Sequence, residues 1–348
     1  MRMARDIRAS KERHSRVGQV LAEALPWIRS ATGKTIVIKY GGSAMVNEQL
    51  RAQVMADVVL LKIIGMNPVI VHGGGKAISE AMKRLNLPVS FKDGLRVTDD
   101  EAMEVVRAVL VGQVNQDLVR DLNRHGNLAV GLSGVDGGTV MTEPLSPELG
   151  HVGRVTAVNA GLINDIVADA YIPVIASIGM GQDGTYYNIN ADIVAGEVAA
   201  AIGAHKIVFL TDVDGLYEDF SDKNSLISRL TEDEAKAMLT SGNVGKGMIP
   251  KVRSCITALD AGVPRAHIVN GTIPHVLLLE LLTDEGAGTV FVGDEADQNL
   301  DLHPLGKFAE KLVDNADDRT VPSSGVAAGA SLGADAPTPT QSKPDIKE

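Results

Sequence analysis

Twice near its start this chain runs an apolar strand straight into a cluster of glycines. The runs are Ile36-Val37-Ile38-Lys39-Tyr40-Gly41-Gly42 and Val69-Ile70-Val71-His72-Gly73-Gly74-Gly75-Lys76. Near-continuous apolar runs of this length read as strands buried on both faces of a parallel sheet. Each glycine cluster sits where a strand hands over to a helix. Without side chains, such a turn lets backbone N–H groups close on an anion, and the helix N-terminus behind it adds positive potential. Two such turns feeding one sheet predict a site that grips a phosphate from two sides.

The pattern around them alternates. A strand at 35–39 leads to a helix at 47–64, with Asn47 as its N-cap. A strand at 68–72 leads to a helix at 76–85, and a turn with short extended pieces covers 88–97. Thr98-Asp99-Asp100-Glu101 has the spacing of a capping box and predicts one long helix to about His125. Strands follow at 128–132, 139–142 and 152–158, then a helix at 160–170 and a buried strand at 171–178. In the second half Asn190 caps an alanine-rich helix reaching Ile202, and Lys206–Thr211 is a buried strand. Helices are predicted at 231–239, 249–261 and 275–282, with Pro250 at an early helical position, and a strand at 266–269. Ahead of all this, Val17, Val20, Leu21, Ala24, Leu25 and Ile28 recur at helical spacing, so 14–30 reads as an amphipathic helix kinked at Pro26. It packs either on its own domain or, as an arm, on a neighbouring subunit. The whole is α/β with a largely parallel sheet.

Composition removes several classes of function. With 348 residues and a net charge of −11, the chain is a poor match for nucleic acid or an anionic membrane. Its one cysteine, Cys255, allows no internal disulfide and no Cys/His zinc spacing, which suits a reduced, cytoplasmic setting, and no metal site is predicted. Residues 1–16 are charged throughout, with no signal-peptide core, and no apolar stretch approaches the ~18–20 residues of a membrane span. Residues 320–348 are rich in Ala, Gly, Ser, Pro and Thr and contain no aromatic, so 300–348 reads as a disordered tail.

The common phosphate-binding patterns fail. A Walker A loop would need glycine at Ile28 or Ile70, and Gly73-Gly74-Gly75 continues to Ile78 where a dinucleotide fingerprint needs glycine. The polar residues are more informative. Lys39 interrupts an apolar strand just before a glycine pair, where it either snorkels to the surface or faces a phosphate. Gly94-Leu95-Arg96-Val97-Thr98 places an arginine in a turn, a residue suited to a carboxylate. Tyr187-Asn188-Ile189-Asn190-Ala191-Asp192 puts polar side chains on one side of an extended segment. Thr211-Asp212-Val213-Asp214-Gly215 ends a strand as either a plain turn or a nucleotide-contacting loop. Gly245-Lys246-Gly247-Met248-Ile249-Pro250-Lys251 is a third glycine-rich turn opening a helix.

Taken in order, I-V-I-K-Y-G-G, V-H-G-G-G, G-L-R-V-T, N-I-N-A-D, L-T-D-V-D-G-L-Y and G-M-I-P-K resemble the amino acid kinase family, and within it the branch that phosphorylates N-acetyl-L-glutamate. The resemblance runs from Ile36 to about Gly293. It implies a three-layer α/β/α sandwich with a largely parallel central sheet and two lobes. The N-lobe (33–178) would bind acetylglutamate and the C-lobe (179–299) ATP with Mg²⁺, preceded by an N-terminal helix (1–32). By the same resemblance Lys39 and Lys251 would stabilise the transferring phosphoryl group and Asp192 would hold both lysines. The backbones of Gly42 and Gly74 would bind the γ-phosphate. Gly74, Gly75, Arg96 and Asn188 would hold acetylglutamate, with Arg96 on its α-carboxylate. Asp212, Val213, Asp214, Gly215, Leu216 and Tyr217, with Gly245, Lys246, Gly247 and Met248, would surround the nucleotide. His72 is then structural. Attack by a carboxylate, already ionised at neutral pH, needs no general base.

The resemblance extends to arginine-inhibited members, which carry such an N-terminal helix and a matching C-terminal segment. It implies L-arginine bound near Trp27, His267, Gly271, Glu280 and Gly286, and a homohexamer of three dimers linked by the helices. Trp27 stands where the arm often carries a tyrosine, and the tail lies outside the family pattern. Two other readings stay open: a kinase for a related acyl-amino acid, such as an α-aminoadipate derivative, and a non-catalytic arginine-binding protein.

Overall fold

The computed structural model describes residues 20–45, 47–219, 221–242, 244–245, 247–283 and 286–293. The expectations for residues 1–19, for Lys246 and for the tail at 300–348 lie outside the described residues. Helix α1 (20–31) runs through Pro26 without a break. The elements that follow are β1 (Thr35–Tyr40), α2 (Glu48–Ile63), β2 (Asn67–His72), α3 (Gly75–Arg84), the hairpin β3 (Phe91–Lys92) and β4 (Leu95–Arg96), α4 (Asp100–Val109) and α5 (Gln116–Asn123). Next come β5 (Ala129–Ser133), β6 (Val140–Pro144), β7 (Gly153–Val158), α6 (Gly161–Ala168), β8 (Ile172–Ala176), β9 (Ile178–Met180) and β10 (Tyr186–Asn188). The second half comprises α7 (Ala191–Ala201), β11 (Lys206–Thr211), β12 (Arg229–Thr231), α8 (Glu232–Ser241), α9 (Ile249–Asp260), β13 (Arg265–Asn270), α10 (Val276–Leu282) and β14 (Gly288–Val292).

Eight strands form one sheet in the order β12-β14-β13-β11-β1-β2-β8-β5, parallel throughout except where β13 meets β14. Strand β1 lies mid-sheet, paired with β11 on one side and β2 on the other. Its period-two alternation divides the core. Ile36, Ile38 and Tyr40 join the apolar cluster that includes residues of α2, α3, α4, α5 and α10. Val37 joins Val69, Val71 and Phe209 in the cluster that includes α7, α8 and α9. Lys39 shares the Val37 face, so the pleat aims it at α7 and α9. Those two helices pack closely: a Cβ on Gly196 would stand 3.0 Å from the Ser254 carbonyl oxygen. A second sheet, β10-β9-β6-β7, lies outside the main one.

Three expectations need correcting. The long helix predicted from Thr98 is interrupted by a π-turn over Leu110–Asn115, and its cap is Asp99, which accepts from the Ala102 N–H. The turn bears directly on the second glycine cluster, because a Cβ on Gly74 would stand 2.6 Å from Leu110 Cδ2. The strand predicted at 171–178 ends at Ala176. Ser177 turns the chain, its N–H bonded to the His72 carbonyl at 3.2 Å, and Ile178 begins β9 in the other sheet. Finally, β12 and β14 were not predicted. The three-residue β12 carries almost no periodic signal, and β14 pairs antiparallel with β13 although α10 lies between them, where a strand–helix–strand pattern leads one to expect a parallel neighbour.

Candidate active site

The two glycine turns leave adjacent strands at the same level, since Tyr40 pairs with His72 in the β1–β2 register. Above them the alternation of β1 delivers Lys39, the first turn of α7 delivers Asp192, and the first turn of α9 delivers Lys251. Lys39 Nζ lies 2.9 Å from Asp192 Oδ1 as an ion pair, and Lys251 Nζ donates to Asp192 Oδ2 at 2.9 Å. Asp192 is 4 % exposed and Lys39 7 %. Burial alone pushes the Asp192 carboxyl up, but the two ammonium groups outweigh it and hold it below its ordinary range. One carboxylate between two lysines leaves one positive charge over, in a site that excludes most water. That surplus attracts an anion with little screening.

The backbone below is fitted to the lysine. A Cβ on Gly41 would come 2.7 Å from Lys39 Nζ, and Gly42 holds φ +74°, where a side chain is strained. Asn190 caps α7 by accepting from the Asp192 N–H, which fixes the turn that carries the carboxylate. A cleft of about 690 Å³ opens beside Lys39 and is lined by Gly42, Gly74, Gly75, Ser79 and Arg96 among others. Arg96 is buried. Its Nη2 donates to Ser79 Oγ at 2.7 Å and to the Gly75 carbonyl at 2.8 Å, and its guanidinium carbon lies 4.8 Å from the Phe91 ring centre. Burial lowers its pKa, so its positive charge favours an anionic partner. Arg51 and Asp117 also line the cleft.

Asn188 does not line this cleft. Its amide donates to Thr98 Oγ1 at 3.2 Å, and Thr98 in turn donates to the Arg96 carbonyl at 2.9 Å. His72 is fully buried. Asn115, from the π-turn, donates to its Nε2 at 3.0 Å, which assigns the proton to Nδ1 and the Gly73 carbonyl as its acceptor, also at 3.0 Å. Burial lowers its pKa to about 4, so the ring is neutral and serves the turn as a structural spacer.

The nucleotide expectations fall at the end of β11. Asp214 accepts from Asn270 Nδ2 and from the Tyr217 hydroxyl, both at 2.7 Å, and these bonds, the Asn270 one foremost, hold its carboxyl below the usual range. Gly215 is pressed against Thr289, whose hydroxyl accepts from the Leu216 N–H at 2.9 Å. Asp212 and Val213 lie between the β11 terminus and this knot, while Leu216 and Tyr217 are buried. Gly245, Gly247 and Met248 form the turn into α9, where Met248 N–H donates to the Gly245 carbonyl.

The expected effector residues divide. His267 and Glu280 meet with Nδ1 to Oε1 at 2.5 Å, both buried, and Glu280 Oε2 accepts from the Ala287 N–H, next to Gly286 at φ +64°. Gly271 lies elsewhere, at the far end of β13, with its N–H on the Thr211 carbonyl. Trp27 is half-buried against the apolar cluster that also holds α10. Burial lowers the His267 pKa despite Glu280, and His267 Nε2 has no hydrogen-bond partner among the described residues. Two residues escaped the sequence reading. Lys206 is buried beside Arg265 and Glu280, with burial lowering its pKa to about 8. Ser79 orients Arg96. The signal that singles out Lys39, a lysine in an apolar strand, is also present at Lys206; Ser79 carries none.

A model of the amino acid kinase family matches residues 34–270. The acetylglutamate kinase of Caldanaerobacter subterraneus subsp. tengcongensis is 49% identical over 285 residues, covering 81% of this chain and 95% of that protein. The acetylglutamate kinase of Halothermothrix orenii is 49% identical over 279 residues, covering 79% and 96%. Among solved structures, N-acetylglutamate synthase from Neisseria gonorrhoeae, complexed with coenzyme A and N-acetyl-glutamate, matches with a TM-score of 0.70 over 79% of this chain and 63% of that one. Its sequence identity is 23%, so the likeness is one of fold.

Proposed function

The chain belongs to the amino acid kinase family, and from that premise we propose that it transfers the γ-phosphoryl group of ATP to the side-chain carboxylate of N-acetyl-L-glutamate. The observation that carries the proposal is the Lys39–Asp192–Lys251 bridge above two adjoining glycine turns. The acceptor oxygen forms a bond to the γ-phosphorus while the bond to the β-phosphate oxygen breaks, giving N-acetyl-L-glutamyl 5-phosphate and ADP. The barrier is the approach of two anions and the spread of negative charge in the transition state. Lys39 and Lys251 neutralise that charge, Asp192 fixes their spacing, and the N–H groups of Gly42 and Gly74 hold phosphoryl oxygens. Arg96 pairs with the α-carboxylate of the acceptor.

Residues 212–217 and 245–248 hold the nucleotide in this reading, with the acceptor in the N-lobe and ATP in the C-lobe. Both oxygens of Asp192 are taken by lysines, so Mg²⁺ enters on phosphate and water oxygens. A cytoplasmic location belongs to the same reading, in keeping with one buried thiol, Cys255. The decisive experiment is ATP turnover by the purified protein with N-acetyl-L-glutamate, its α-aminoadipate homologue, or neither. Turnover only with the glutamate derivative supports the proposal; faster turnover with the longer homologue overturns the substrate assignment.

Regulation by L-arginine is a second part of the proposal. A neutral His267 that donates from Nδ1 presents Nε2 as an acceptor, suited to the N–H of a guanidinium or ammonium group. Lys206 lies near enough to Glu280 to feel its charge and would meet the effector's carboxylate. Val20, Leu21 and Leu25 are more than half exposed on α1, an apolar stripe suited to pairing with the same helix of another subunit in a hexamer. Removing about 28 residues, the span of the helical periodicity, should lower the oligomer mass and abolish sigmoidal arginine inhibition. Light scattering and an arginine titration check both.

A further inference from the structure

Arg96 and Asn188 lie 92 positions apart (188 − 96) in the sequence, and β4 and β10 belong to different sheets. What joins them is the segment 150–153, Gly-His-Val-Gly, which none of the motifs above includes. The N–H of His151 donates to the Thr98 carbonyl at 2.6 Å, and the His151 carbonyl accepts from the Asn188 N–H at 2.9 Å. One residue thus spans the two segments. On either side of it Gly150 bridges to Thr98 and Val152 to Asn188. Gly150 holds φ +65°, and a Cβ there would stand 2.3 Å from the Thr98 carbonyl oxygen. No other residue type fits so close to that backbone.

The side chain of His151 is held as well. Its Nε2 lies 2.6 Å from Asp100 Oδ1, in the first turn of α4, and its ring centre is 6.1 Å from that of Tyr187. Because Asp99 caps α4, the Thr98 hydroxyl is free to connect Asn188 to the Arg96 carbonyl. We propose that His151 is a positioning residue for the acceptor site: as a one-residue strand it sets the distance between Arg96 and Asn188, and its imidazole, tied to Asp100, keeps that strand in register. This rests on the reading of Arg96 as the residue that holds acetylglutamate, with Asn188 bracing its backbone through Thr98. A small displacement of such a group weakens binding of the acceptor without touching the nucleotide side.

The test measures kcat, both KM values and Tm for the full-length His151→Ala, His151→Gln and Asp100→Ala proteins, with Arg96→Lys in parallel. His151→Ala should raise KM for N-acetyl-L-glutamate about tenfold, with KM for ATP and Tm near those of the parent. His151→Gln, whose amide can still donate to Asp100, should recover most of the loss. Asp100→Ala alters a side chain that is 96% exposed and should raise the same KM about threefold; it decides the matter if His151→Ala does not fold. An unchanged acetylglutamate KM in His151→Ala, or a rise in both KM values that His151→Gln does not recover, overturns the proposal. If Arg96→Lys raises the acetylglutamate KM and the His151 and Asp100 variants do not, the positioning role fails and the acceptor site stands. If Arg96→Lys leaves that KM unchanged, the acceptor site itself is misassigned, and the positioning role falls with it.

Discussion

Asp192 and Glu280 are both buried carboxylates with cations close by, yet they lie on opposite faces of one sheet. Asp192 sits on the α7–α9 face with Lys39, beyond the glycine turns. Glu280 sits on the face where α10 packs, with His267 and Lys206 from the earlier parts of β13 and β11. Both carboxyls are held below their ordinary values against burial, but the means differ. Asp192 is held by two full charges from separate elements. Glu280 is held first by a histidine hydrogen bond, and then by a backbone N–H and a more distant lysine. Charges fixed at both ends of a carboxylate suit a site that must meet moving negative charge without rearranging. A histidine with one nitrogen unpartnered among the described residues suits a site that changes its contacts when a ligand arrives.

The largest way to break this comparison is at the lysines. Lys39→Ala or Lys251→Ala should lower kcat by about 10²–10³ while moving either KM only a few-fold, because each acts on transition-state charge. A kcat within twofold of the parent in steady-state assays would remove that lysine from catalysis. Asp192→Asn comes next, with kcat down about a hundredfold, since it leaves two ammonium groups without their shared anion.

His72 supplies the contrast of a buried ionisable group with no counter-ion among the described residues. Above pH 6.5 its ring is neutral whether the chain is folded or not, and stability does not depend on it. As pH falls from 6.5 to about 4, the unfolded chain takes up a proton that the folded chain refuses. Stability therefore declines through that window, by on the order of 3 kcal/mol in total. His205, also lowered to about 4 by burial, adds to the same slope. In His72→Asn the dependence of urea midpoints on pH should flatten by about half; an unaltered slope would show that His72 accepts the proton while folded. The smallest effect belongs to the other carboxylate. Glu280→Gln should shift the arginine inhibition curve to about tenfold higher concentration, a change of one charge-assisted contact, and a superimposable curve would place the effector elsewhere.

Much of the active site was legible because its residues violate local expectation. A lysine in an apolar strand, and glycines where a strand meets a helix, each contradict what propensity prefers, and the structure brings both to the wall of one cleft. Asn190 was legible as a cap because N-capping is local chemistry. His151 was not, since a histidine in the run Gly150-His151-Val152-Gly153 looks like any loop. Asp99 rather than Thr98 caps α4 because Thr98 is drawn into bonds with residues far away in sequence, which no local rule sees.

The sequence by itself determined strands such as β1, β2 and β11, the glycine turns after β1 and β2 and the period-two alternation that turns Lys39 away from Ile38 and Tyr40. These follow from sterics and burial within a few residues. Only the tertiary structure decided that Asp192 stands between two lysines, that β8 stops at Ala176, and that Arg96 and Asn188 are joined through His151. Each depends on the packing of segments distant in the chain, such as α7 against α9 and the π-turn against Gly74. There the fit of side chains to backbone, and not the preference of any single segment, sets the geometry.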